Sequence, residues 1–162
     1  MSGRWLMIGL LAFTLLFGAA LVYFQLFAWY DRVSGLATLE IAGEDVPVEA
    51  YEGLDGRSSP LKLRGCFRLA GDLPTVLPAD RPAPTVSPFW FDCFDARTIA
   101  EALAAGEAEA LLASANTPYG FDRVVAVFPD GWAYLWRQIN RCGTATFGGD
   151  PLPRDCPPPP RR

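Results

Sequence analysis

The chain has 162 residues, of which 18 are acidic, 14 basic and none histidine, giving a net charge of −4. Without histidine, a Ser-His-Asp triad, a Cys-His pair, a His-ligated metal, a c-type haem attachment and a histidine phosphorelay are all excluded within this polypeptide. All the acidic residues and every basic one except Arg4 lie after Tyr30, with no basic patch, which argues against nucleic acid or anionic lipid headgroups as the main partner.

Residues 1–4 form a short N-terminus with Arg4 as its only charged side chain. Residues 5–30, WLMIGLLAFTLLFGAALVYFQLFAWY, are uncharged and long enough as a helix to cross a hydrocarbon core of about 30 Å. Trp5 sits at one rim and Tyr23, Trp29 and Tyr30 toward the other, where amphipathic rings prefer the headgroup level. Membrane lipid is therefore the expected partner of residues 5–30. The amine and Arg4 at the start, against Asp31 and Arg32 that cancel at the end, favour a cytoplasmic N-terminus and an exported domain. The competing reading is a signal peptide cleaved near Gly18-Ala19-Ala20, although the apolar run continues well past that point. Thr14, Gly18 and Val22 share one helix face that permits close approach of another helix, without requiring a dimer.

The remainder reads as one exported α+β domain over residues 31–148, with an antiparallel sheet and one short helix, followed by a proline-rich tail over 149–162. Leu36 to Ile41 and Val46 to Val48 are short β-favouring pieces interrupted by Gly43 and Pro47, and Gly53 to Pro60 is a turn-rich connection. Leu61 to Leu69 alternates apolar residues with Lys62, Arg64, Cys66 and Arg68, the period of a half-buried strand with a solvated basic face. Its sharper alternative is a reactive Cys66 thiol among three cations. Asp72 to Pro88 holds Pro74, Pro78, Pro82, Pro84 and Pro88, so it is a surface loop, either a plain connection or a docking segment.

Phe89 to Phe94 carries aromatics on both faces and reads as a strand or turn buried on two sides. Asp95 caps a helix through about Ala105, with Ile99, Ala102 and Leu103 on its apolar stripe and Gly106 as its stop. Glu107 to Ala115 fits a strand better than a continued helix. Arg123 to Phe128 and Trp132 to Ile139 form a hairpin about Pro129-Asp130-Gly131. Trp132, Tyr134 and Trp136 share a face with Gln138; core packing or a protein interface is one reading of this ladder, and a site for a flat ligand the other. Cys142 to Arg162 is rich in glycine and proline and reads as a frayed end.

Cys66, Cys93, Cys142 and Cys156 all follow the apolar segment and form no C-x-x-C pair, so disulfides are expected. The sequential pairing, Cys66 with Cys93 and Cys142 with Cys156, is favoured because each bridge staples a proline-bearing loop. A four-thiolate zinc site is disfavoured by the wide spacing. No catalytic, cofactor-binding or metal-binding residue is assigned, since no glycine-rich nucleotide motif or nucleophile elbow is present. Asp92 with Asp95, and Glu107 with Glu109, are carboxylate pairs that chance alone supplies among 18 acids.

The stretches GCFRLA, FDCFDARTIAEALAAGEA and YGFDRVVAVFPDGWAYLWRQINRCG, following a single apolar segment, resemble an uncharacterised family of small membrane-anchored proteins of alphaproteobacteria. Some members of that family carry an automatic histidine-kinase label, which this chain contradicts. The resemblance implies a bacterial inner-membrane location with a periplasmic domain, and no mechanism. Two classes of function follow: a non-enzymatic accessory protein contacting a larger membrane or periplasmic complex, or a periplasmic small-ligand-binding module. Thiol redox work is a weaker third.

Overall fold

The structure, a computed structural model, describes residues 3–160. It divides into two compact units, residues 1–30 and 31–162. The first is helix α1 (Gly3–Leu26), none of whose residues is buried and whose length and hydropathy suffice to cross a membrane. Thr14 Oγ1 donates back to the Leu10 carbonyl, so the one hydroxyl in mid-helix is satisfied without a partner chain.

The second unit is α+β. Its strands are β1 (Asp31–Ser34), β2 (Thr38–Ile41), β3 (Glu44–Asp55), β4 (Arg64–Leu69), β5 (Glu109–Ser114), β6 (Phe121–Val127) and β7 (Trp132–Ile139), with helices α2 (Ala96–Ala105) and α3 (Arg141–Gly148). All strand pairings are antiparallel, in the order β1-β3-β4-β7-β6-β5, with β2 on β3. The β6–β7 hairpin follows the sequence reading, with Gly131 at φ 86° and its N–H on the Phe128 carbonyl. The segment after Gly106 is a strand, as expected, and α2 begins at Asp95 and stops at Gly106, which is left-handed.

Strand β3 corrects the sequence reading, because it runs straight through Pro47 and Gly53, where interruption and a turn were expected. Pro47 keeps its carbonyl bonded to the Ala70 N–H just beyond β4, so its missing N–H breaks no bond of the β3–β4 ladder. Gly53 is needed for closeness. A Cβ there would lie 2.7 Å from the Tyr51 ring, which fills the space over the glycine. A register shift between Glu49 and Glu52, with Ala50 at φ 52°, bends the strand. Its first half therefore pairs with β2 and its second with β1. The bend brings the β2–β3 hairpin round to the far edge, where the Ala42 N–H donates to Ala113 of β5 at 2.8 Å.

One face of this curled sheet holds the main core, with Ile41, Val48, Tyr51, Phe67, Val125 and Leu135 packed together. Residues 72–95 form a strap over the opposite face, whose bed is Trp136, Tyr134 and Cys66. Further differences from the sequence reading are local. Residues 60–62 are a 3-10 turn capped by Ser59, so β4 begins only at Arg64. Phe89 to Phe94 is a set of turns in which Phe91 and Phe94 are buried while Phe89 is 74% exposed. Residues 141–148 are helical, capped by the Asn140 side chain on the Gly143 N–H.

Candidate functional site

Of the aromatic ladder proposed as an interaction face, Trp136 is interior while Trp132 and Tyr134 are half-buried. Trp136 has 0% exposure, and its indole N–H donates to Gln138 Oε1 at 3.2 Å. Phe94 meets Tyr134 and Trp136 edge-on, with centroids 6.2 and 6.4 Å apart, and Phe128 meets Tyr134 at 5.2 Å. Burial, and secondarily Asp130, raises the Tyr134 phenol above its ordinary pKa. Only Trp132 and Tyr134 keep a partly open edge, Trp132 lying beneath the Arg68 guanidinium. Tyr134 and Trp136 are what the strap sits on, through Phe94.

Of the basic face expected along β4, Arg68 is exposed and Lys62 half-exposed as a solvated face would have them, but Arg64 is not. Arg64 is 5% exposed and donates to four carbonyls: Nε to Thr85 (2.7 Å), Nη2 to Val86 (2.9 Å), and Nη1 to Leu61 and Leu63 (2.6 Å each). One planar side chain thus ties the strap to the turn before β4. Cys66 has no thiol to activate, being bonded to Cys93 with Cα atoms 6.1 Å apart, and no free cysteine occurs among the described residues. Cys142 is bonded to Cys156 with a Cα separation of 5.6 Å, so both pairs are the sequential ones. Gln138 holds the strap a second time, accepting from the Ala83 N–H and donating to the Asp80 and Arg81 carbonyls. Pro78 bridges to Leu111, so the strap also covers the outer edge of β5.

On the other face, Arg123 of β6 lies directly opposite Arg137 of β7. Burial pulls the Arg123 pKa down from its ordinary value, and Glu40, 3.9 Å away, opposes this. Arg137 pairs with Asp55 at 3.6 Å. Two cations and two carboxylates balance around the Tyr51 ring, whose phenol is raised first by burial and then by Asp55. The cluster closes the end of the core.

A concavity of about 870 Å³ lies where β7 runs into α3 and the strap passes beside it. Asn140 builds its floor, donating through Nδ2 to Asp122 Oδ1 (2.8 Å) and Asn116 Oδ1 (3.3 Å) while capping α3. Asp122 also accepts from the Asn116 N–H at 2.8 Å, which fixes the β5–β6 connection. The far wall is the C-terminal segment, held by Cys142–Cys156, by the Arg141–Asp155 ion pair and by the Tyr119 hydroxyl on the Pro157 carbonyl. Cys156 is buried, although it lies in the stretch read as a frayed end. The mouth carries Asp80, Arg81, Asp150 and Thr144. Apart from the expected Cys142–Cys156 bridge, the sequence pattern assigned none of the residues named at this groove a role. Asn140-x-x-Gly143, an Asx cap before a short helix, was the one local signal that could have shown α3. Among the described residues no group of three or more carboxylates and cysteines is placed to hold a metal.

A family model described as "Family of unknown function (DUF6446)" matches residues 35–157. No curated protein and no solved structure matches the chain.

Proposed function

The chain belongs to the family of unknown function DUF6446, and from that premise we propose a non-enzymatic, membrane-anchored accessory protein whose exported domain receives a segment of a larger membrane complex. In this reading residues 5–30 stay in the bacterial inner membrane as a single-pass anchor, with the N-terminus cytoplasmic and the domain periplasmic. Arg4 ahead of the apolar run supports the orientation, and two disulfides with no spare thiol support an oxidising compartment.

The observation that carries the reading is the character of the groove beside α3. Pockets for small molecules are predominantly apolar and aromatic, with a few polar groups that fix orientation. This groove is open, and Asp, Asn, Arg, Gln and Thr residues make up most of its lining while polar and apolar atoms share its surface about equally, without the aromatic side chains of a small-molecule pocket. Polar, wet surfaces with donors and acceptors of both signs suit the main chain and side chains of another protein. The alternative, a small-ligand module, keeps one point in its favour: the volume lies within the usual ligand range of about 300–1,000 Å³.

The test is affinity recovery of the tagged full-length chain from its own membranes, comparing wild type with a charge-reversed Asp150→Lys/Arg81→Glu variant. A stoichiometric partner recovered with wild type and lost with the variant supports the reading. Recovery of the chain alone in both cases overturns it and sends attention to small ligands.

A further inference from the structure

We propose that Arg123 of β6 and Arg137 of β7 form a binding site for a phosphate-class oxyanion at the end of the core, separate from the groove beside α3. The two residues are direct cross-strand partners. Main-chain bonds of this hairpin fall at Phe128 with Trp132 and at Gly120 with Asn140, so every second row between them is bonded and the Arg123–Arg137 row is not. Rows of that kind bring side chains closest, with Cα atoms about 4.5 Å apart, and like charges placed so are destabilising unless something offsets them.

The neighbouring carboxylates balance the charge but leave the donors unmet. Glu40 Oε1 lies 3.9 Å from Arg123 and Asp55 Oδ1 3.6 Å from Arg137, both beyond hydrogen-bond length. The same Asp55 oxygen already accepts the Gly56 N–H at 2.8 Å. Arg123 donates Nη2 to the Glu40 carbonyl at 2.5 Å, whereas the Arg137 guanidinium makes no hydrogen bond among the described residues. Both Nε atoms are buried with no acceptor. Buried donors are nearly always satisfied, and two orphans on adjacent cations call for an anion. The side chains keep 18% and 20% of their surface open, so the pair is not sealed from solvent. An oxyanion held between them takes the Nε–Nη edge of each guanidinium, a fork that matches two oxygens of a phosphate. Two forks from neighbouring strands outnumber the oxygens of a planar carboxylate, whereas a phosphate monoester adds a third oxygen and most of a second charge. The Tyr51 phenol, within electrostatic reach of both cations, is raised in pKa first by burial and stays a donor. Glu40 and Asp55 are open enough to turn to water as the anion takes their place.

The test uses the full chain in neutral detergent with chloride as the only other anion, titrated with inorganic phosphate, glycerol phosphate or acetate in a calorimeter. Micelles carrying phosphatidic acid form a further arm, so the free ion, a soluble ester and a lipid phosphate are told apart. Saturable binding of a phosphate probe is expected, absent with acetate and weakened about tenfold or more by Arg137→Lys, because lysine keeps the charge and loses the fork. No binding of any phosphate probe, binding matched by acetate, or equal binding by Arg137→Lys overturns the proposal. Because a variant can fail to fold, the unmodified chain is also treated with phenylglyoxal and its modified arginines are mapped by mass spectrometry. The phosphate probe should slow modification of Arg123 and Arg137 several-fold while leaving the exposed Arg97 unchanged. Equal slowing at all three, or none at Arg123 and Arg137, overturns the proposal independently of any variant.

Discussion

Replacing Arg64 with alanine removes four hydrogen bonds at once, two of them to the strap at Thr85 and Val86 and two to the turn before β4. Bonds from a charged donor are worth about 1.5–3 kcal/mol each, but they are not additive, and the freed carbonyls regain water in part. Loss of one member of a buried charged network costs about 3–5 kcal/mol, which bounds the expected destabilisation. Arg64 is 5% exposed, so little of this is screened away. For a domain of about 130 residues that corresponds to a fall in Tm of roughly 10–20 °C. Lysine keeps the charge but offers a single ammonium, which cannot span both sets of carbonyls, and Arg64→Lys recovers about half the loss. Thermal unfolding of the full chain in detergent, followed by near-ultraviolet circular dichroism, measures both variants. Hydrogen exchange at the Ala83 amide reports the strap separately. A Tm within about 3 °C of wild type for Arg64→Ala, or unchanged Ala83 protection, would refute the account of how the strap is held.

Trp136→Ala costs about 3–5 kcal/mol because the ring is fully enclosed, while Trp132→Ala costs clearly less; equal costs by denaturant unfolding would contradict the burial described here. Removing Cys142–Cys156 through a double alanine variant lowers stability by about 3 kcal/mol, from the 14-residue separation it closes, and frees the C-terminal wall to protease. Gly143→Ala places a Cβ against the Gly120 backbone and costs about 1–3 kcal/mol by denaturant unfolding, whereas the same change at the unobstructed Gly18 does not. The Asp95 carboxyl is held below its ordinary pKa first by the Thr98 hydroxyl and then by the Arg97 and Thr98 N–H groups. Its contribution is complete above the ordinary carboxylate pKa and is lost as pH falls through the lowered value. Asp95→Asn should therefore flatten the acid limb of the stability profile, and an unchanged limb would count against the cap.

The sequence was most informative where local chemistry and tertiary packing agree. Asp95 and Gly106 bound α2 because a carboxylate acceptor and a left-handed glycine suit helix ends in nearly any surroundings. The β6–β7 hairpin was legible because Pro129-Asp130-Gly131 encodes its own turn. The sequential disulfides were legible from the loops they close. Where distant partners decide, local reading failed. Nothing near Pro47 or Gly53 reveals that Ala70 and the Tyr51 ring make them tolerable in a long strand. Arg64 looks like any surface arginine until a strap some twenty residues later supplies its acceptors. That same strap makes Trp136 interior and half-covers Tyr134, where the sequence pattern alone shows one continuous aromatic face. The groove is assembled from the strap, the β5–β6 connection, α3 and the C-terminal segment, and no one segment carries its signature.

The most direct test of the central claim places a photocrosslinking amino acid at Ile139, an exposed side chain lining the groove, in the full-length chain within its own membranes. One discrete adduct with a membrane or exported protein is expected, lost when Asp150→Lys/Arg81→Glu is introduced. Irradiation that yields no protein adduct, or the same adduct with and without the charge reversal, would contradict it.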